Sequence, residues 1–164
     1  MRSIVTPLLL FGMLVGVVAP VVADPGKDEP AAREDPMYTE GVKAVQRGDY
    51  AAAIRLFEAI VAQDNRNANA YNMLGYSTRL AGDARRAVPI YEKALAIDPK
   101  HRGAHEYIGE AYLILGDLAK AKEHLAALDK LCFLPCSEYS DLKKAVQAYE
   151  TSGGRVKPTS KSTP

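Results

Sequence analysis

The sequence predicts an all-α fold of helical hairpins stacked in register, and features repeating at one interval carry that prediction. Gly48-Asp49, Gly82-Asp83 and Gly116-Asp117 recur every 34 residues, each followed at the same offset by an alanine: Ala53, Ala87 and Ala121. A second glycine series, Gly41, Gly75 and Gly109, keeps the same interval. Bulk recurs too, at Phe57, Tyr91 and Leu125, and at Ile60, Ala94 and Leu128. Self-similarity at this fixed period marks helix–turn–helix units that bury their apolar faces only by stacking.

Taken in chain order, Met1-Arg2 opens an uncharged apolar run that ends in the small-residue exit Val21-Val22-Ala23 before Asp24. This pattern predicts a cleaved secretory signal peptide over residues 1–23. The competing reading is a retained anchor, since about twenty apolar residues span a bilayer. Pro20 and the Val-x-Ala exit favour cleavage, and the single Arg2 favours the general secretory route over a twin-arginine one. Residues 24–33 are rich in charge and proline and read as a flexible leader. Three repeats follow, at 34–67, 68–101 and 102–135.

The middle repeat explains the residue types. Tyr71, Leu74, Thr78 and Ala81 share one helical face, and Gly75 lets a partner helix approach that backbone. Gly82 suits the break between helices, and Asp83 offers a carboxylate to cap the next one. Ala87, Ile90, Tyr91, Ala94 and Leu95 make the second helix's inward stripe, and Asp98-Pro99 ends the hairpin. Residues 136–150 predict a capping helix, with Ser137 as N-cap and Tyr139, Leu142, Ala145, Val146 and Tyr149 as its apolar stripe. Seven helices are expected in all, and residues 151–164 read as a disordered tail.

These residues resemble the tetratricopeptide repeat family, whose pattern is nearly complete in AYNMLGYSTRLAGDARRAVPIYEKALAIDP. The resemblance implies a short right-handed superhelix. The third repeat with the segment after it also resembles small exported bacterial members, which implies a periplasmic location. Departures are Glu40 where the later repeats have Leu74 and Ile108, Asn65 in place of Pro99, and Pro89 inside a helix. The third repeat lacks the closing Asp-Pro and runs into LCFLPC.

The family resemblance implies that inner helices line a groove holding a protein or peptide. On that register the groove residues are Tyr38, Asn69, Asn72, Tyr76, Arg79, Glu106 and Glu110, with Val42, Val45 and Leu113 beside them. Asparagine can bond both donor and acceptor of an extended backbone, and tyrosine adds rigid contact area. The alternative is that these are solvated helix sides. The family's lysine-and-asparagine carboxylate clamp is not recognisable, and Glu106 and Glu110 instead favour a ligand with some positive charge.

Composition narrows the function classes. The chain has 21 Lys and Arg against 20 Asp and Glu. Arg2 belongs to the signal peptide, so the remainder is balanced, which disfavours nucleic acid as a partner. No nucleophile–base pair or phosphate-cradling glycine loop appears, so an enzyme is not expected, and no cofactor is implied. His101 and His105 have helical spacing, but His101 falls in a turn, His105 aligns with packing positions, and His124 is on another helix.

Cys132 and Cys136 are the only cysteines. Four residues on a helix separate Cα atoms by about 6 Å, within disulfide reach. Export favours a structural bridge between them; free thiols, a metal site and redox work are the alternatives. The sequence thus predicts a non-catalytic, exported protein- or peptide-binding module, with no membrane partner after signal cleavage. A metal- or redox-linked accessory protein using Cys132 and Cys136, or a self-associating repeat protein, are the competing functions.

Overall fold

The computed structural model describes residues 35–134 and 136–155. The expectations for the signal peptide, the leader and most of the tail lie outside these residues. Among the described residues there are seven helices and no strand. They are α1 (Pro36–Gln46), α2 (Tyr50–Gln63), α3 (Ala68–Leu80), α4 (Ala84–Ile97), α5 (Arg102–Ile114), α6 (Leu118–Leu131) and α7 (Ser137–Thr151). None is long and apolar enough to cross a membrane.

The Gly-Asp pairs build the turns inside the hairpins. Gly48, Gly82 and Gly116 adopt φ of 74°, 96° and 85°, where a side chain would be strained. The next N–H reaches back into the preceding helix, Asp49 to the Ala44 carbonyl at 2.9 Å, and closes that helix end. The aspartates then turn outward to start the following helix. Asp49 accepts from the Ala52 N–H at 3.0 Å, Asp83 from Arg86 at 2.9 Å and Asp117 from Lys120 at 3.0 Å. Each cap contributes about 1 kcal/mol.

Within each hairpin the helices pack closely. An added Cβ at Gly41 would lie 2.7 Å from the Phe57 ring, and one at Gly75 would lie 2.7 Å from the Tyr91 ring. Phe57, Tyr91, Leu128 and Leu142 are fully buried, as are Ala53, Ala87 and Ala121. Pro89 is accommodated inside α4, which continues through it to Ile97. Glu40, out of pattern in the first repeat, is exposed and pairs with Arg47 at 3.0 Å.

The inner and outer helices can be told apart by their neighbours. α3 packs on both α1 and α5, whereas the backbones of α2, α4 and α6 stay apart, with an exposed Arg86–Glu58 ion pair at 3.3 Å reaching from α4 to α2. The odd-numbered helices therefore form the inner row. α7 is different: of the two helices preceding each, α3 and α5 pack more extensively on the outer one, but α7 packs more extensively on the inner α5 than on α6. Its Leu142 and Val146 are buried, and Leu142 lies 2.6 Å from where a Cβ on Gly109 would be. Cys132 at the end of α6 is bridged to Cys136, with Cα atoms 5.8 Å apart. Cys136 rather than Ser137 occupies the N-cap position of α7. The bridged residue takes the extended backbone that precedes the helix, so Ser137 becomes its first residue and bonds Glu138 at 3.1 Å.

Candidate functional site

The 34-residue period places equivalent side chains in rows across the inner helices. One row runs Tyr38, Asn72, Glu106; a second runs Val42, Tyr76, Glu110; a third runs Val45, Arg79, Leu113. Polar residues concentrate toward α5 in these rows. Asn72, Tyr76, Arg79, Glu106 and Glu110 are each more than nine-tenths buried. Tyr38 is partly buried, edge-on to Phe57 at 5.4 Å. Asn69 is exposed and stands apart, where its Oδ1 meets His101 Nε2 at 2.9 Å.

Arg79 organises the centre. Its guanidinium lies over the Tyr76 ring at 5.3 Å and the Tyr107 ring at 5.7 Å, and those rings pack together at 4.6 Å. It approaches Glu110 at 2.8 Å, both side chains almost wholly buried. The approach lacks hydrogen-bond alignment. Burial works against the Arg79 charge, but Tyr91 and Glu110 outweigh it and raise its pKa. Glu110 is raised by burial, against the opposing pull of Arg79.

Glu106 differs from Glu110. Arg79 is near enough to favour its charge, yet no described cation forms an ion pair with it, and its Oε1 has no hydrogen-bond partner. Burial, reinforced by Glu110, Asp141 and Glu138, pushes Glu106 up to about 8. Glu138 and Asp141 lie one turn apart on α7, and the lean of α7 on α5 brings them close. Asn72 reaches α5 from α3. Its amide nitrogen is 3.4 Å from where a Cβ on Gly103 would be, one helical turn from Glu106, and its Oδ1 has no partner. Buried acceptors without partners are costly and point to a missing donor.

Two features escape a one-dimensional reading. His101 caps α5: its Nδ1 accepts from the Ala104 N–H at 3.1 Å, so Nε2 carries the proton donated to Asn69. Burial lowers the His101 pKa, in keeping with a neutral ring. The equivalent cap one repeat earlier is Asn67, whose Oδ1 accepts from Ala70 at 2.9 Å. That shared offset was the available signal. His105 and His124, on different helices, meet at 3.0 Å between their Nδ1 atoms. Since His105 Nε2 faces the Pro99 carbonyl at 3.1 Å, it must donate there, and with both rings neutral the remaining proton of the pair sits on His124 Nδ1. Burial, His105 and Lys120 lower His124 to about 4. Among the described residues, no three His, Cys, Asp or Glu side chains gather as a metal set. The Cys132–Cys136 loop presents Phe133 and Leu134 to solvent.

Comparison with known proteins agrees with this architecture. Two family models described as tetratricopeptide repeat match residues 38–100 and 79–146. No curated protein matches the chain by sequence. Among solved structures, the type III secretion translocator chaperone SycD of Yersinia enterocolitica superposes with a TM-score of 0.65 at 20% identity. The match covers 73% of this chain and 84% of that one. PcrH, solved with the chaperone-binding region of PopD, gives 0.64 at 21% identity over 71% of this chain and 90% of that one. The first repeat domain of Spaghetti (RPAP3), bound to the HSP90 peptide SRMEEVD, gives 0.62 at 20% identity, covering 70% and 90%. At these identities the likeness is one of fold.

Proposed function

Because this chain belongs to the tetratricopeptide repeat family, we propose that it is a non-catalytic module that binds an extended segment of another protein along its inner helices. The observation that carries the reading is the unpartnered Asn72 Oδ1, buried in the inner row between Tyr38 and Glu106. An extended backbone supplies the N–H such an acceptor lacks, without demanding a particular side chain. The similarly folded PcrH and Spaghetti (RPAP3) domains were each solved with a peptide segment of another protein, which supports the same use here.

The module works outside the cytosol, in the periplasm or secreted, after export through the general secretory route. The apolar leader with its Val21-Val22-Ala23 exit supports this location, and so does the Cys132–Cys136 bridge, since disulfides persist in oxidising compartments. The test is recovery of a partner from periplasmic extract, identified by mass spectrometry, with wild type compared with Asn72→Ala. Wild type recovers a protein that Asn72→Ala does not, at equal helicity by circular dichroism. Equal recovery by both would overturn the assignment of the inner face.

A further inference from the structure

We propose that the α5 end of the inner face, where α7 leans against it, is a subsite for one cationic side chain, Lys or Arg, of the bound segment. The proposal rests on the peptide-binding reading and names what that segment must carry. Glu106 on α5 lies within electrostatic reach of three further carboxylates, Glu110 one turn along α5 and Glu138 and Asp141 on α7, which packs on α5. Most are already matched. Arg79 from α3 is committed to Glu110 at 2.8 Å, Arg102 lies 3.5 Å from Glu138, and Lys144 lies 3.1 Å from Asp141. Glu106 is left over, a buried carboxyl without an ion-pair partner among the described residues.

A second observation, independent of the acidic cluster, points to a ligand. Asn72 comes from α3, is 7% exposed, reaches α5 at Gly103 one turn from Glu106, and holds an acceptor with no partner. An ammonium or guanidinium group seated between them supplies donors to both. Glu138 and Asp141 are the more exposed carboxylates, with side chains 21% and 45% accessible. They form a negative rim that attracts a cation toward the buried Glu106.

Proton linkage gives the subsite a signature. Glu106 holds its proton to about pH 8 under the combined influence of burial, Glu110, Asp141 and Glu138, with Arg79 opposing. Tyr107 stands beside it on α5 and stays neutral, its own pKa raised by burial and by Glu106. A cation prefers the ionised carboxylate, so binding displaces the Glu106 proton and tightens as pH rises from 7 to 9, where Lys and Arg remain charged.

The experiment is selection of peptides from a random displayed library on the intact bridged protein, followed by synthesis of the strongest binder and its Lys→Gln or Arg→Gln variant. Fluorescence anisotropy is read at pH 7 and 9, with spermidine as a free-amine control. Selected peptides share a basic residue at one position. Replacing it by Gln weakens binding by about tenfold to a hundredfold, the range for a charge-assisted hydrogen bond. Glu106→Gln abolishes both that difference and the pH effect. Asp141→Asn, at an exposed rim position, reduces the difference and covers the case in which Glu106→Gln fails to fold.

If peptides are selected with no shared basic residue, or the Gln variant binds equally, the subsite is overturned and the peptide-binding reading stands. If no peptide is selected, that reading falls as well. Spermidine binding as tightly as the basic peptide would overturn the assignment to a peptide side chain.

Discussion

In the first two hairpins the inner-helix glycine is covered from within the hairpin, Gly41 by Phe57 and Gly75 by Tyr91, whereas in the third Gly109 is met by Leu142 of α7. Leu125 stands where the earlier repeats place an aromatic ring, and it is only partly buried. The difference shows that the terminal helix does more than shield an exposed end. It fills the third hairpin's close contact, and in doing so it carries Glu138 and Asp141 within electrostatic reach of Glu106. The packing exception and the polar site thus share one cause.

Removing the contact gives the largest effect. Leu142→Ala empties a fully buried position and should cost about 2–5 kcal/mol by chemical denaturation, while Leu125→Ala costs less. A cost at Leu125 equal to that at Leu142 would restore the third hairpin to the pattern of the others.

Adding a methyl group sharpens the same contrast. Gly75→Ala and Gly109→Ala each force an overpacked contact, worth about 1–3 kcal/mol. In a Leu142→Ala background the Gly109→Ala penalty should vanish or reverse, since alanine is about 1 kcal/mol better than glycine in a helix. The Gly75→Ala penalty should persist there, because Tyr91 is untouched. A Gly109→Ala cost that survives loss of Leu142 would contradict the role given to α7.

Buried Glu106 and half-buried His124 should oppose each other in pH. Glu106 ordinarily titrates near 4.5 but holds its proton to about 8 when folded. Its contribution to stability is full below 4.5 and is lost as pH rises to about 8. His124 falls from 6.5 to about 4, so its contribution is full above 6.5 and is lost as pH falls to about 4. Denaturation midpoints should therefore decline between pH 6.5 and 8 in wild type, and that decline should be absent in Glu106→Gln. At lower pH, His124→Gln should remove the opposing slope.

The smallest effect is expected from the bridge. Reducing Cys132–Cys136 opens a short loop and should cost about 2 kcal/mol or less by thermal denaturation. A far larger loss would mean that the bridge, and not Leu142, holds α7 in place.

Much of the fold was legible because it is periodic and local. The Gly-Asp turns, the aspartate caps and the apolar stripe of α7 each follow from residues a few positions apart. The site was legible only as a row of positions. That Asn72, Arg79, Glu106 and Glu110 are buried depends on how neighbouring helices and α7 seat, which periodicity does not encode. The 34-residue register continued from Glu106 lands at Ser140, between Glu138 and Asp141, and that step would have brought the acidic pair into view. The His105–His124 contact joins two helices of one hairpin through side chains that no repeat shares, so the sequence carried no signal for it.

The central claim is that an extended segment lies along the inner helices, and mapping of backbone amides by nuclear magnetic resonance tests it most directly. A library-selected peptide titrated into labelled protein should perturb Asn72 on α3 and Gly103 and Glu106 on α5, with the Asn72 side-chain amide among the largest shifts. Perturbations confined to α4 and α6 would contradict the claim.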